Sequence, residues 1–377
     1  MAAHFAVLKK DATTRARLGR LTTAHGVIET PAFMPVGTQG TVKGMLPRDL
    51  KEIGCQILLG NTYHLYLRPG AATIRKLGGL HRFMGWDRPI LTDSGGYQVF
   101  SLGAMRKISE EGARFQSHLD GSYHLLTPES VVDIQEALGS DIAMALDECI
   151  PSDATRAYVS ASTERTLRWA ERCIQARNKK DQLMFGIVQG GIFPDLRQWC
   201  VEKITPMPFE GFAVGGLGVG EGEELLQSIG GFTVALLPED RPRYLMGVGR
   251  PEDILTAVRA GFDMFDCVLP TRNARNGTLY TSRGKLSIKR AEFAHDPRPP
   301  DEACGCYCCR NFSRAYLRHL FLAGEILSSQ LNTLHNLYFY HRLMERCRNA
   351  IGEGHTDFWT QPSEPGVVQG THSEEET

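Results

Sequence analysis

The chain has 377 residues, 42 Lys and Arg against 43 Asp and Glu, and 42% apolar residues. A formal net charge of −1 and the lack of any long apolar run exclude disordered, fibrous and membrane-spanning classes. They also exclude a global field for nucleic acid, so a polyanion partner has to be held by a local basic patch.

The N-terminal Met1-Ala-Ala-His-Phe-Ala-Val-Leu-Lys-Lys has too short an apolar stretch for a signal peptide. Beyond it, eight short runs rich in Val, Ile, Leu, Met or Phe and bounded by Gly or Pro read as strands: Pro31–Gly37, Gln56–Asn61, Pro89–Asp93, Ile142–Asp147, Met184–Gln189, Gly211–Gly215, Tyr244–Gly247 and Phe262–Cys267. Helical signals lie between most of them, at Pro47–Ile53, Pro128–Leu138, Thr155–Arg177, Pro194–Ile204, Glu221–Leu226 and Pro251–Ala260. Several open with Pro in the first turn, where its missing N–H costs nothing. Eight strands alternating with helices predict parallel crossovers and a closed (β/α)8 TIM barrel over residues 1–268. An open doubly wound sheet is disfavoured because no G-x-G-x-x-G follows the first strand.

Barrels of this kind keep their active sites at the C-terminal ends of the strands. Asp93, Asp147, Gln189 and Asp266 all fall there. Each acid is delivered by an apolar run, as in Ile90-Leu91-Thr92-Asp93, and partial burial would tune such carboxyls apart. Taken singly, each could equally be a helix cap or a turn residue; several together argue for a site. After the third strand, residues 94–126 depart from the alternation. The pattern Ala113-Arg114-Phe115-Gln116-Ser117-His118-Leu119 followed by Asp120-Gly121 predicts an inserted β-ribbon.

The chain from 269 to 360 reads as a zinc-binding, tRNA-contacting subdomain with closing helices. Ten cysteines would suggest disulfides in a short secreted chain, but here four crowd into Cys304-Gly-Cys306-Tyr-Cys308-Cys309, which points to metal chemistry in a reducing, cytoplasmic setting. All four cannot comfortably reach one tetrahedron, so a distal fourth ligand is expected from His319, His335, His341 or Cys347. Three thiolates plus an imidazole form a closed, structural site suited to Zn2+. From Arg272 to Arg318 ten Lys and Arg stand against four acids, a basic segment beside the last strand that suits phosphate contacts. Residues 361–377, with Glu374-Glu375-Glu376, read as a disordered acidic tail.

Several motifs in one order resemble the bacterial tRNA-guanine transglycosylase family over about residues 5–360. They are Asp93-Ser94-Gly95-Gly96-Tyr97-Gln98, Leu146-Asp147-Glu148-Cys149, Val188-Gln189-Gly190-Gly191, Gly215-Gly216-Leu217-Gly218-Val219-Gly220-Glu221, Phe265-Asp266-Cys267-Val268-Leu269-Pro270-Thr271-Arg272, and Cys304-x-Cys306-x-x-Cys309 with His335. The resemblance implies exchange of the wobble guanine of tRNA for 7-aminomethyl-7-deazaguanine, with no phosphodiester broken. It implies Asp266 as nucleophile and Asp93 as general acid/base in a ping-pong reaction of the kind retaining glycosidases use.

The same resemblance implies that Asp147, Gln189 and the Gly216 N–H read the guanine edge, that Tyr97 and Met246 cover its two faces, and that the Leu217 carbonyl meets the aminomethyl group with Glu221 supporting the loop. Cys149 and Val219 match the bacterial branch, and Val219 would leave too little room for the cyclopentenediol of queuine. Gly218 stands where many relatives carry Ala or Ser, which bears on loop stiffness. The resemblance further implies one zinc per subunit on Cys304, Cys306, Cys309 and His335 and a homodimer through Phe312, Tyr316 and His319, spaced i, i+4, i+7 as on one helix face; the basic segment itself points to Arg272 and Arg275 for tRNA contacts, and the composition to no membrane. Two rival readings are a non-catalytic RNA-binding subunit, which needs neither Asp93 nor Asp266, and a barrel glycosylase acting on free nucleosides, which needs no basic segment.

Overall fold

The computed structural model describes residues 4–103, 106–218 and 222–354. The chain opens with an antiparallel meander, β1 (Phe5–Lys10), β2 (Arg17–Thr23) and β3 (Gly26–Thr30). The first barrel strands are β4 (Ala32–Gly37), β5 (Leu58–Gly60) and β6 (Ile90–Thr92). A three-stranded antiparallel ribbon follows, β7 (Arg106–Ile108), β8 (Ala113–Gln116) and β9 (Tyr123–Leu126). The barrel resumes with β10 (Ile142–Met144), β11 (Leu183–Val188), β12 (Gly211–Val214), β13 (Arg243–Leu245) and β14 (Met264–Cys267).

These eight barrel strands lie inside or within one residue of the eight expected runs. They are all parallel and the sheet closes, with β14 pairing β4 (Phe265↔Phe33) and β6 pairing β10 (Leu91↔Ile142). Strands buried on both faces read as near-continuous apolar runs rather than alternating ones, and β11, Leu-Met-Phe-Gly-Ile-Val, is buried at every position. Their side chains split into an inner and an outer core. Met34, Leu59, Leu91, Met144, Phe185, Ile187 and Met264 fill the barrel, whereas Phe33, Leu58, Ile90, Met184 and Phe265 face the surrounding helices.

Phe5, Leu21 and Ile28 of the meander join the inner core, so the meander plugs the barrel at the N-terminal ends of its strands. A buried ion pair fastens this plug, with Arg17 Nη2 2.6 Å from Asp263 Oδ2 just ahead of β14.

The expected helices are present, four of them with Pro in the first turn, and the helix Pro128–Leu138 adds a capping box between Thr127 and Ser130. The segment expected at Glu221–Leu226 is a helix from Glu223 to Leu236; it runs on because Leu226, Ile229 and Val234 bury one face against the barrel. Three short helices between β5 and β6 have no counterpart among the expected helices, and the closing helices expected without bounds after residue 269 include the 28-residue helix Ile326–Glu353. The latter is the element that joins the two halves of the molecule. Its Tyr340 packs on Phe33 at 4.8 Å, while its His335 faces the cysteine cluster with one ring nitrogen and, with the other, the hairpin of β15 (Thr278–Thr281) and β16 (Gly284–Ser287). Among the described residues no helix is long and apolar enough to cross a membrane. The expected acidic tail, residues 361–377, lies outside the described residues.

Candidate active site

A cavity of about 200 Å³ opens at the C-terminal ends of the strands, and three carboxylates from three strands line it: Asp93 just after β6, Asp147 after β10 and Asp266 in β14. Asp93 is buried and held by three donors. The Asn61 amide bonds Oδ2, while the N–H groups of Thr62 and Gly95 reach Oδ1 at 2.9 and 3.2 Å. Burial nevertheless raises its carboxyl to about 6; the three donors hold it down, and the Asp266 charge adds to the rise. Asp266 is oriented by the Tyr244 hydroxyl at 2.5 Å and the Gly247 N–H at 2.8 Å. Both bond Oδ1, and among the described residues no donor bonds Oδ2. Burial raises this carboxyl too, against the pull of those two donors.

Asp147 receives Ser94 Oγ at 3.0 Å and Gln189 Nε2 at 2.7 Å, one on each oxygen; burial again raises its carboxyl. Gln189 is fully buried behind Asp147 and does not line the cavity, so its amide acts first on the carboxylate. Among the described residues its Oε1 has no partner. Gly216, Leu217, Tyr97 and Met246 all line the cavity, with Tyr97 half exposed at its mouth. Cys149 lines it as well, a buried thiol whose ionisation burial suppresses. Glu221 and Val219 lie outside the described residues.

Three residues that the sequence reading passed over shape this site. Asn61 ends the second strand run, the same strand-end position that singled out Asp93. Tyr244 is the middle residue of β13 and is buried to the hydroxyl. Arg197 lies on the apolar stripe of its helix with Cys200, Val201 and Ile204; a lone Arg at that spacing is the missed signal. Its guanidinium donates to the carbonyls of Gly191 (2.8 Å), Val188 (3.0 Å) and Gly215 (2.8 Å), bracing the ends of β11 and β12 from behind.

Arg272 and Arg275 lie on the helix Leu269–Arg275, which leaves the rim directly after β14; Arg272 is exposed and Arg275 half-buried. Phe312 and Tyr316 stack with centroids 5.4 Å apart, but the helix begins only at Arg314, so Phe312 precedes it rather than sharing one helical face with Tyr316 and His319.

The cysteine cluster is a separate centre. The sulfurs of Cys304, Cys306 and Cys309 lie 3.7, 3.5 and 3.2 Å from His335 Nδ1, and all four ligand atoms fall within 4.8 Å of one another. A tetrahedral Zn2+ with bonds of about 2.3 Å to sulfur and 2.0 Å to nitrogen needs ligand separations of roughly 3.5–3.8 Å, so the donors fit that ion. The other ring nitrogen, Nε2, is 2.7 Å from the Tyr280 carbonyl, which requires its proton there and leaves Nδ1 bare for a metal. Cys308 stands outside the cluster in a local apolar core. Of the rival fourth ligands, His319 is exposed, His341 is buried and pushed down to about 3, and Cys347 belongs to the outer core of the barrel.

A closed parallel barrel with several carboxylates on its C-terminal rim, joined to a Cys3His cluster, defines a barrel enzyme with an appended segment whose ligand set could hold a metal ion. A family model described as queuine tRNA-ribosyltransferase matches residues 11–362. The chain is 63% identical over 341 residues to a protein of that name from Solidesulfovibrio magneticus, covering 90% of this chain and 91% of the relative. It is 61% identical over 348 residues to one from Caldanaerobacter subterraneus (92% and 93%), and 59% identical over 350 to one from Moorella thermoacetica (93% and 94%). The chain belongs to the queuine tRNA-ribosyltransferase family, the tRNA-guanine transglycosylases, and is a pentosyltransferase.

Proposed function

We propose that this enzyme exchanges the wobble guanine of tRNA for 7-aminomethyl-7-deazaguanine by two displacements at one ribose carbon. In the first, Asp266 attacks C1′, the bond to the guanine nitrogen breaks, and Asp93 supplies a proton to the departing base. In the second, Asp93 takes the proton from the incoming base, whose nitrogen attacks C1′ and releases the Asp266 ester. Two inversions give retention, and both carboxyls return to their starting states.

The observation that carries this reading is the pairing of two differently held acids in one cavity. Asp266 has Oδ1 anchored and, among the described residues, Oδ2 without a donor, as a nucleophile requires. Asp93, at about 6, has both protonation states within reach near neutral pH. Asp147, fixed by Gln189 and Ser94, accepts from the guanine ring N–H and exocyclic amine, while the Gly216 N–H answers its carbonyl and Gln189 acts through Asp147. Tyr97 and Met246 sandwich the flipped base. The Leu217 carbonyl meets the aminomethyl group.

Zn2+ on Cys304, Cys306, Cys309 and His335 would act as a structural cross-link, its ligand set closed to water and substrate. Arg272 and Arg275 contact tRNA phosphates beside the rim. The enzyme works as a homodimer through the Phe312, Tyr316 and His319 surface, in the cytoplasm.

Incubation with radiolabelled guanine and unmodified tRNA tests the exchange directly, and denaturing gels test the intermediate. Wild-type enzyme should incorporate label and give a denaturation-resistant RNA adduct that Asp266→Ala abolishes. An adduct that survives Asp266→Ala would reject the nucleophile assignment.

A further inference from the structure

At the barrel end opposite the cavity, three side chains from separate elements converge. His25 sits in the turn between β2 and β3, His81 in the helix Gly79–Met84, and Asp141 immediately before β10. Asp141 is fully buried, and backbone N–H groups hold it in place: that of His25 reaches Oδ1 at 3.0 Å and that of Ile90 reaches Oδ2 at 2.9 Å. These two bonds fix the carboxylate whatever the imidazoles do. The ring nitrogens take its remaining lone pairs, His25 Nδ1 at 2.9 Å from Oδ1 and His81 Nε2 at 3.0 Å from Oδ2. The rings stack with centroids 3.5 Å apart and planes 15° from parallel.

All the ligand atoms lie within 4.8 Å of one another, the spacing of a coordination shell. Metal bonds of about 2.1 Å set at right angles put neighbouring donors ~3.0 Å apart, which is the nitrogen-to-oxygen separation on both sides of Asp141. Access is one-sided: the His25 side chain is 41% exposed and that of His81 12%, while Asp141 stays dry beneath them.

We propose that His25, His81 and Asp141 form a second divalent-metal site, separate from the Cys3His centre and remote from the active-site cavity. Two imidazoles and a carboxylate favour Zn2+, Ni2+ or Cu2+ over Mg2+ and Ca2+, which prefer all-oxygen shells. To ligate, each ring moves its Asp-facing proton to its outer nitrogen or to solvent. The parallel rings also splay, so that their in-plane lone pairs converge on the ion; His25, on an exposed turn, has the freedom to do so. Because the ligands come from the meander, a helix and the residue leading into a barrel strand, an ion there cross-links the plug to the barrel and stabilises the folded state alone.

The test is a Zn2+ titration of enzyme already carrying its Cys3His metal, read by calorimetry and by metal content after dialysis. Wild type should take up one further equivalent and melt at higher temperature in its presence. His25→Ala and His81→Ala should each weaken that equivalent at least ~10-fold and remove the added thermal stability. His25→Ala, at an exposed position, keeps the test decisive if His81→Ala folds poorly. No second equivalent in wild type, or one that His25→Ala leaves unchanged, would overturn the proposal.

Discussion

Asp93, Asp147 and Asp266 share a cavity and a chemical type, yet each is held by a different donor set: an amide with two backbone N–H groups, a hydroxyl with an amide, and a phenol with one backbone N–H. Burial raises all three, so the protein carries carboxylates that its folded state would rather protonate. For Asp93 this has a measurable sign. Its folded value near 6 exceeds the ordinary 3.8, so its unfavourable contribution is absent at low pH and grows as pH rises through the window between those values. Asp93→Asn should therefore match wild type in stability near pH 3.5 and exceed it above pH 6 by up to about 3 kcal/mol, while base exchange is lost. Urea unfolding across that range checks it; a stability difference independent of pH would mean that the Asp93 charge is not the cause.

At the scale of elements, the working parts are strand ends held from behind. Arg197 ties the ends of β11 and β12 together through their carbonyls, and the Gly215–Gly216 turn lies over Gln189. Gly216 has φ +65°, and a Cβ there would stand 2.4 Å from Gln189 Oε1. Both the left-handed backbone and the close approach demand glycine. Gly216→Ala should displace Gln189 and, through it, Asp147, lowering kcat/KM at least ~10-fold with the circular dichroism spectrum unchanged, since strain of 1–3 kcal/mol falls on the site rather than the core. Steady-state kinetics on tRNA decide it, and an alanine variant with wild-type kcat/KM would show that the turn does not set the carboxylate.

The whole molecule divides its stability between cores that share one helix. The inner and outer barrel cores are separate from the cluster formed by Leu279, Ile288, Phe293, Cys308 and Leu317 around the Cys3His centre, and Ile326–Glu353 contributes to both sides. A closed metal site contributes folding energy to the small core around it. Cys306→Ala should release the metal and add an early melting transition for residues 269–320, while the barrel unfolds at its usual temperature and tRNA affinity falls. Differential scanning calorimetry with metal analysis checks this, and a single unshifted transition in the metal-free variant would reject the structural role.

The eight barrel strands, the acids at their ends and the Cys3His ligand residues were all legible in the sequence. A strand buried on both faces has to be an apolar run, a rim acid has to follow it, and crowded cysteines need an outside ligand. Tertiary structure alone decided that Gln189 spends its amide on Asp147, that Asn61 and Tyr244 hold the two acids, and that His25 and His81 meet at Asp141. Those pairings join residues tens to hundreds of positions apart, and no local pattern encodes a contact that exists only once the barrel has closed.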